Sequence, residues 1–85
     1  MQTYKIGVIC SDGKAISFRM ESNRRILDGN RMNYSTNPLL SEVYVELARR
    51  ANDPKSKIHK HGGHGKIRYI ENVNTGTFQP YDMHF

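Results

Sequence analysis

The sequence predicts an α+β fold: an antiparallel sheet of two β-hairpins packed on one central α-helix, ββαββ-like, as a single domain over residues 1–85. Three observations predict it. Apolar and polar residues alternate near the start and again near the end, the period of half-buried strands. Between these stretches, residues 38–51 carry apolar side chains at helical spacing. Eighty-five residues suffice for one core, and a thin one, since such a chain buries only about two-thirds of its unfolded surface.

In the first hairpin, Tyr4, Ile6, Val8 and Cys10 alternate with Lys5, Gly7 and Ile9, and Ile16, Phe18 and Met20 with Ser17, Arg19 and Glu21. Asp12-Gly13 suggests a two-residue turn. That turn would set Val8 opposite Ser17 and Ile6 opposite Arg19. A three-residue loop, Ser11-Asp12-Gly13, instead pairs Val8 with Ile16, Ile6 with Phe18 and Tyr4 with Met20, and every apolar residue falls on one face. A type I turn with Gly13 left-handed in a bulge is therefore expected.

Residues 22–36 lack a clear period. Ser22-Asn23-Arg24-Arg25 and Asp28-Gly29-Asn30 resist helix, Ile26, Leu27 and Met32 are isolated anchors, and a short edge strand around residues 24–27 is compatible with the pattern. Unstructured stretches of this length often carry function. The helix follows. Asn37 suits its N-cap and Pro38 its first position. Leu39, Leu40, Val43, Leu47 and Ala51 form its apolar stripe. Glu46 precedes Arg50 by four residues, and Arg49 and Arg50 suit the negative end of the helix dipole. Asn52-Asp53-Pro54 stops it. Lys55 to Gly65 reads as a Lys-, His- and Gly-rich loop. Lys66 to Val73 reads as a strand with Ile67 and Tyr69 on one face. Asn74-Thr75-Gly76 is a turn, and Thr77 to Tyr81 a short edge strand that tolerates Pro80. The tail from Asp82 to Phe85 is too short to assign.

Composition narrows the function. No apolar run exceeds three residues, so neither a membrane span nor a signal peptide is expected. One cysteine, Cys10, excludes an internal disulfide and a thiolate zinc site, and fits a reducing, cytoplasmic setting. The formal charge is +5, and it is concentrated. Residues 49–68 hold seven Lys and Arg against Asp53 alone, a net +6, while the other 65 residues sum to −1. A localised excess points to an anionic ligand or an acidic protein surface.

Within that segment lies Lys57-Ile58-His59-Lys60-His61-Gly62-Gly63-His64-Gly65-Lys66. Glycines let backbone amides approach a bound group, lysines supply charge, and imidazoles donate to oxygens, a combination suited to phosphate. Neither a Walker loop nor a G-x-G-x-x-G run is present. The expected binding residues are Arg49, Arg50, Lys55, Lys57, His59, Lys60, His61, Gly62, Gly63, His64, Lys66 and Arg68, with nucleic acid or a nucleotide as ligand. Tyr69 and Tyr81 offer stacking faces if the second hairpin turns them outward, and core packing competes for both. Arg24, Arg25 and Arg31 form a minor basic group that widens the patch if their loop folds toward residues 49–68.

Other readings stay open. His59, His61 and His64, with Asp53 or His84, could ligate a metal, but no known zinc spacing matches. A metal-independent ribonuclease would use an imidazole beside Lys60 or Arg68, yet these parts sit in one flexible stretch, whereas catalytic groups converge from rigid elements. Cys10 reads as a small core residue. No catalytic residue, metal or cofactor is assigned. A different class also fits: short, motif-poor, charged inhibitors carried by phages and other mobile elements, which occupy a nucleic-acid-handling or nucleotide-signalling protein. The resemblance is general, and the basic patch argues against mimicry of DNA. A core this thin also leaves room for a homo-oligomer.

Overall fold

A computed structural model describes residues 1–24 and 38–85. The first hairpin has the register its apolar residues demand. Strand β1 (Gln2–Cys10) pairs antiparallel with β2 (Ala15–Ser22), with Tyr4 opposite Met20, Ile6 opposite Phe18 and Val8 opposite Ile16. The Cys10 amide donates to the Lys14 carbonyl at 2.8 Å, closing a three-residue loop in which Gly13 takes a φ of 91°. That left-handed conformation is the one glycine adopts without steric cost.

Strand β3 (Gly65–Asn72) pairs with the other edge of β1, and β4 (Phe78–His84) with β3, so the four-stranded antiparallel sheet has the order β2-β1-β3-β4. Pro80 lies on an outer strand, where its missing amide costs no ladder bond. The turn before β4 is tied by the buried Asn72, whose Oδ1 accepts from the amides of Asn74 and Thr75, with Gly76 at a φ of 77°.

Helix α1 (Pro38–Ala51) crosses one face of the sheet. Leu39, Leu40, Val43 and Leu47 are buried against Tyr4, Ile6, Val8, Phe18, Ile67, Ile70 and Tyr81, the α+β arrangement expected. Its expected N-cap, Asn37, and most of the edge strand expected around residues 24–27 lie outside the described residues.

Three differences from the sequence reading have physical causes. First, Ile67 and Tyr69 do not share a face. The β1–β3 register shifts between Gly7 and Val8, which pair with Tyr69 and Ile67, so Arg68 is an extra residue. This bulge sends Ile67 and Ile70 into the core and Tyr69 to the opposite face. Second, the tail is strand: β4 runs to His84, and Phe85 exchanges backbone hydrogen bonds with Gly65. Third, the stretch from Lys55 to Gly65 contains a short helix, α2 (Lys57–Lys60), because Ser56 Oγ caps it by accepting from the Ile58 amide and Ile58 is 1% exposed in the core.

Gly65 is where β3 meets the end of β1. A Cβ there would collide with the Ile9 carbonyl and stand 2.7 Å from Cys10 Cα, both backbone atoms with no freedom to yield. Gly65→Ala is expected to cost roughly 1–3 kcal/mol, the range for overpacking a tight site. Urea unfolding checks this, and an unchanged midpoint would contradict the packing described.

Candidate functional site

Residues 49–68 gather at one end of the molecule: the last turn of α1, all of α2 and the first half of β3. This end is held together by the protein itself. The His64 carbonyl accepts from the Ser11 amide at 2.9 Å, docking the loop on the β1–β2 turn. His61 Nδ1 lies 2.7 Å from Asp12 Oδ2, on that same turn. His59 Nδ1 donates to the Ala51 carbonyl at 2.8 Å, satisfying an acceptor that the end of α1 leaves open.

The glycine pair has a job within this framework. Gly62 and Gly63 have φ values of 109° and 79°. Their amides donate back to the carbonyls of His59 and Ile58, at 3.2 and 2.8 Å, and the His61 amide donates to Lys57 at 3.0 Å. The glycines therefore close α2 in the way glycine commonly ends a helix. The amides of His61, Gly62 and Gly63 are thus engaged within the loop and not presented to an anion.

The cations divide into two groups. Arg49 and Arg50 are tied to one acid: Glu46 accepts from Arg49 Nη2 at 2.6 Å and from Arg50 Nε at 2.7 Å. The arginines hold the Glu46 carboxyl below its ordinary value, chiefly through the Arg49 hydrogen bond. Arg50 also lies over the Phe18 ring, 4.2 Å from its centroid, a cation–π contact that fastens α1 to β2. Lys66 Nζ stands 3.3 Å from Asp82. By contrast Lys55, Lys57, Lys60 and Arg68 are exposed, and among the described residues no carboxylate lies within ion-pair distance of them. His64 is exposed too. Arg24 belongs elsewhere. It pairs with Glu42 at 3.5 Å, near the opposite end of α1, and does not widen the basic end. Arg25 and Arg31 lie outside the described residues.

The two tyrosines part company. Tyr81 is buried in the core, whereas Tyr69 lies on the sheet face opposite α1. There it stacks on Phe78, with ring centroids 5.2 Å apart and planes 25° from parallel. Its ring rests on Gly7, where any Cβ would collide with it. Arg68, Tyr69, Gly7, Ile9, Ala15 and Ser17 line a shallow groove of about 420 Å³ on this face. Sequence reasoning missed the groove and Phe78. The signal available was Gly7, an isolated glycine inside a strand pattern, which marks close approach of another group.

Cys10 is a buried core residue whose thiol is pushed up first by burial and then by the Asp12 charge, so it stays protonated. Among the described residues, no three His, Cys, Asp or Glu side chains converge as a metal site would require. No described helix is long and apolar enough to cross a membrane. The chain matches no protein-family model, no curated protein and no solved structure.

The Asp12–His61 pair makes the docking of the loop measurable. The Asp12 carboxyl is held below its ordinary value, first by the His61 hydrogen bond and then by the Lys14 amide. A carboxyl whose folded pKa is depressed contributes stability in full above the unfolded value and loses it as pH falls through the folded one. His61→Ala is therefore expected to raise the Asp12 midpoint in a carboxyl NMR titration. It should also loosen the loop, seen as faster amide exchange at Gly62 to His64. An unmoved Asp12 midpoint would contradict the pairing.

Proposed function

We propose that the protein is a non-enzymatic binding module for nucleic acid, which it holds through phosphate contacts at its basic end. The division within residues 49–68 supports this reading. The loop's amides turn inward to close α2, while Lys55, Lys57, Lys60 and Arg68 stand exposed and unpaired among the described residues. A single mononucleotide phosphate is recognised best by converging backbone amides. Cations spread over a loop, a helical turn and a strand suit a chain of successive phosphates instead. Such contacts position a polyanion by charge and read little sequence. The histidines fit this account as positioning groups, since His59 closes α1 and His61 anchors the loop to Asp12.

Fluorescence anisotropy with a short labelled RNA and the matching DNA, over a salt series, tests the proposal. Affinity is expected to fall steeply with salt. Reversal of three exposed charges together, Lys55→Glu, Lys57→Glu and Lys60→Glu, should weaken binding and flatten the log–log salt slope by about 2, from about 0.7 per lost single-strand phosphate contact. The melting temperature should move little, because the three side chains are exposed and outside the core. No binding by the wild-type protein, or an unchanged slope in the triple variant, would overturn the proposal. RNA cut during incubation would replace it with the ribonuclease reading. One stoichiometric protein captured from nuclease-treated lysate, with no affinity for nucleic acid, would replace it with the inhibitor reading.

A further inference from the structure

We infer that the sheet face opposite α1 is a base-stacking platform, so that the bound nucleic acid is single-stranded. This rests on the nucleic-acid reading above and adds a second surface to it. Among the described elements no helix packs on this face, because α1 lies on the other one. Its residues are mostly polar or small, as water-facing strand positions should be: Thr3, Lys5, Gly7, Ser17, Arg19 and Glu21. Against this background Phe78 is 56% exposed and stacked on Tyr69. Two aromatic rings side by side on a solvent face have an unmet apolar surface, and a nucleobase is a flat ring of matching shape.

Three observations favour that occupant. The rings are pre-set, since Gly7 lets the Tyr69 ring lie against the backbone of β1. Stacking then costs little side-chain ordering. The charge is complementary. Lys5 and Arg19 are register partners on this face, and Arg68 is thrown out by the bulge immediately before Tyr69. With Lys66, which pairs with Asp82, they exceed the acids of the same face, Glu21, Glu71 and Asp82, by one charge, and Glu71 stands opposite both Lys5 and Phe78. The surface is also continuous with the basic end. Lys66 and Arg68 lead along β3 from α2 to Tyr69, so a strand held by its phosphates at the lysines passes directly onto the rings. A duplex cannot use the platform, because its bases are already stacked on one another.

The chain has no tryptophan, which supplies a clean test. Tyr69→Trp places a single reporter in the platform, and its emission should be quenched on adding a single-stranded oligonucleotide but not its duplex. Phe78→Ala and Tyr69→Ala should each weaken single-strand binding by about tenfold while leaving the salt slope unchanged, since stacking releases no counterions. Phe78 is exposed enough that its loss should leave the melting temperature nearly as it was, which separates binding from folding. Single-strand binding that both alanine variants retain, with no quenching in the Tyr69→Trp variant, would overturn this inference while leaving the basic-end proposal standing. Absence of any nucleic-acid binding would overturn both. Sedimentation showing a dimer that Phe78→Glu dissociates, with no quenching by oligonucleotide, would assign the face to a second copy of the chain instead.

Discussion

The architecture turns on how closely β3 approaches β1. At Gly65 the two backbones touch where a methyl group would not fit, and at Gly7 the Tyr69 ring occupies the space a side chain would need. Between these points the register shifts by one residue, with Arg68 as the surplus. A regular ladder would have kept Ile67 and Tyr69 on one side and turned Ile70 to solvent, because side chains alternate strictly. The bulge instead buries both isoleucines, releases the tyrosine to the opposite face and puts an arginine beside it. One irregularity thus completes the core beneath α1 and furnishes the surface on the other side.

The basic end depends on a comparable division of partners. Of the acids near it, Glu46 is taken by two arginines, Asp12 by His61 and Asp82 by Lys66, while Asp53 accepts from the Lys55 amide. Surface ion pairs of this sort contribute little stability. Their consequence is spatial, since each occupies an acid at a defined place and the unpaired lysines are left clustered on α2 and just before it. Ile58 makes the cluster possible. Its side chain is the one apolar anchor in a run of lysines, histidines and glycines, and burying it fixes the helical turn that displays Lys57 and Lys60.

Much of the fold was legible because it follows from local rules. The alternation of Tyr4, Ile6, Val8 and Cys10 against Ile16, Phe18 and Met20 admits one loop length that keeps all of them on one side, and the observed register is that one. The stripe through Leu40, Val43 and Leu47 likewise leaves one way to bury the helix. What was not legible depended on partners distant in sequence. Nothing near Gly62 and Gly63 indicates that their amides close a helix rather than cradle an anion, since that depends on Ile58 reaching the core. The same holds for His61, whose partner is 49 residues away, and for Tyr69, whose orientation is set by Gly7 on a different strand. The charge of residues 49–68 could be counted from the sequence. Its division into paired cations, Arg49, Arg50 and Lys66, and exposed ones, Lys55, Lys57, Lys60 and Arg68, could not.

Among the described elements one long helix covers the four-stranded sheet, and one helix covers one face. The other face must then be compatible with water, which is why most of it is short, polar or charged. An aromatic pair there is an exception to the rule that shaped its neighbours, because a polar residue at position 78 would suit an edge strand facing solvent. Tyr69 is partly accounted for by its contact with Gly7. Phe78 is not, since among the described residues its aromatic contact is Tyr69 and more than half of it faces solvent. Burial among the described residues therefore does not account for Phe78, and the proposed stacking platform is centred on it for that reason. On that proposal the two rings meet the bases of a single strand and Lys5, Arg19 and Arg68 its phosphates, with Glu71, opposite Phe78, as the acid between them.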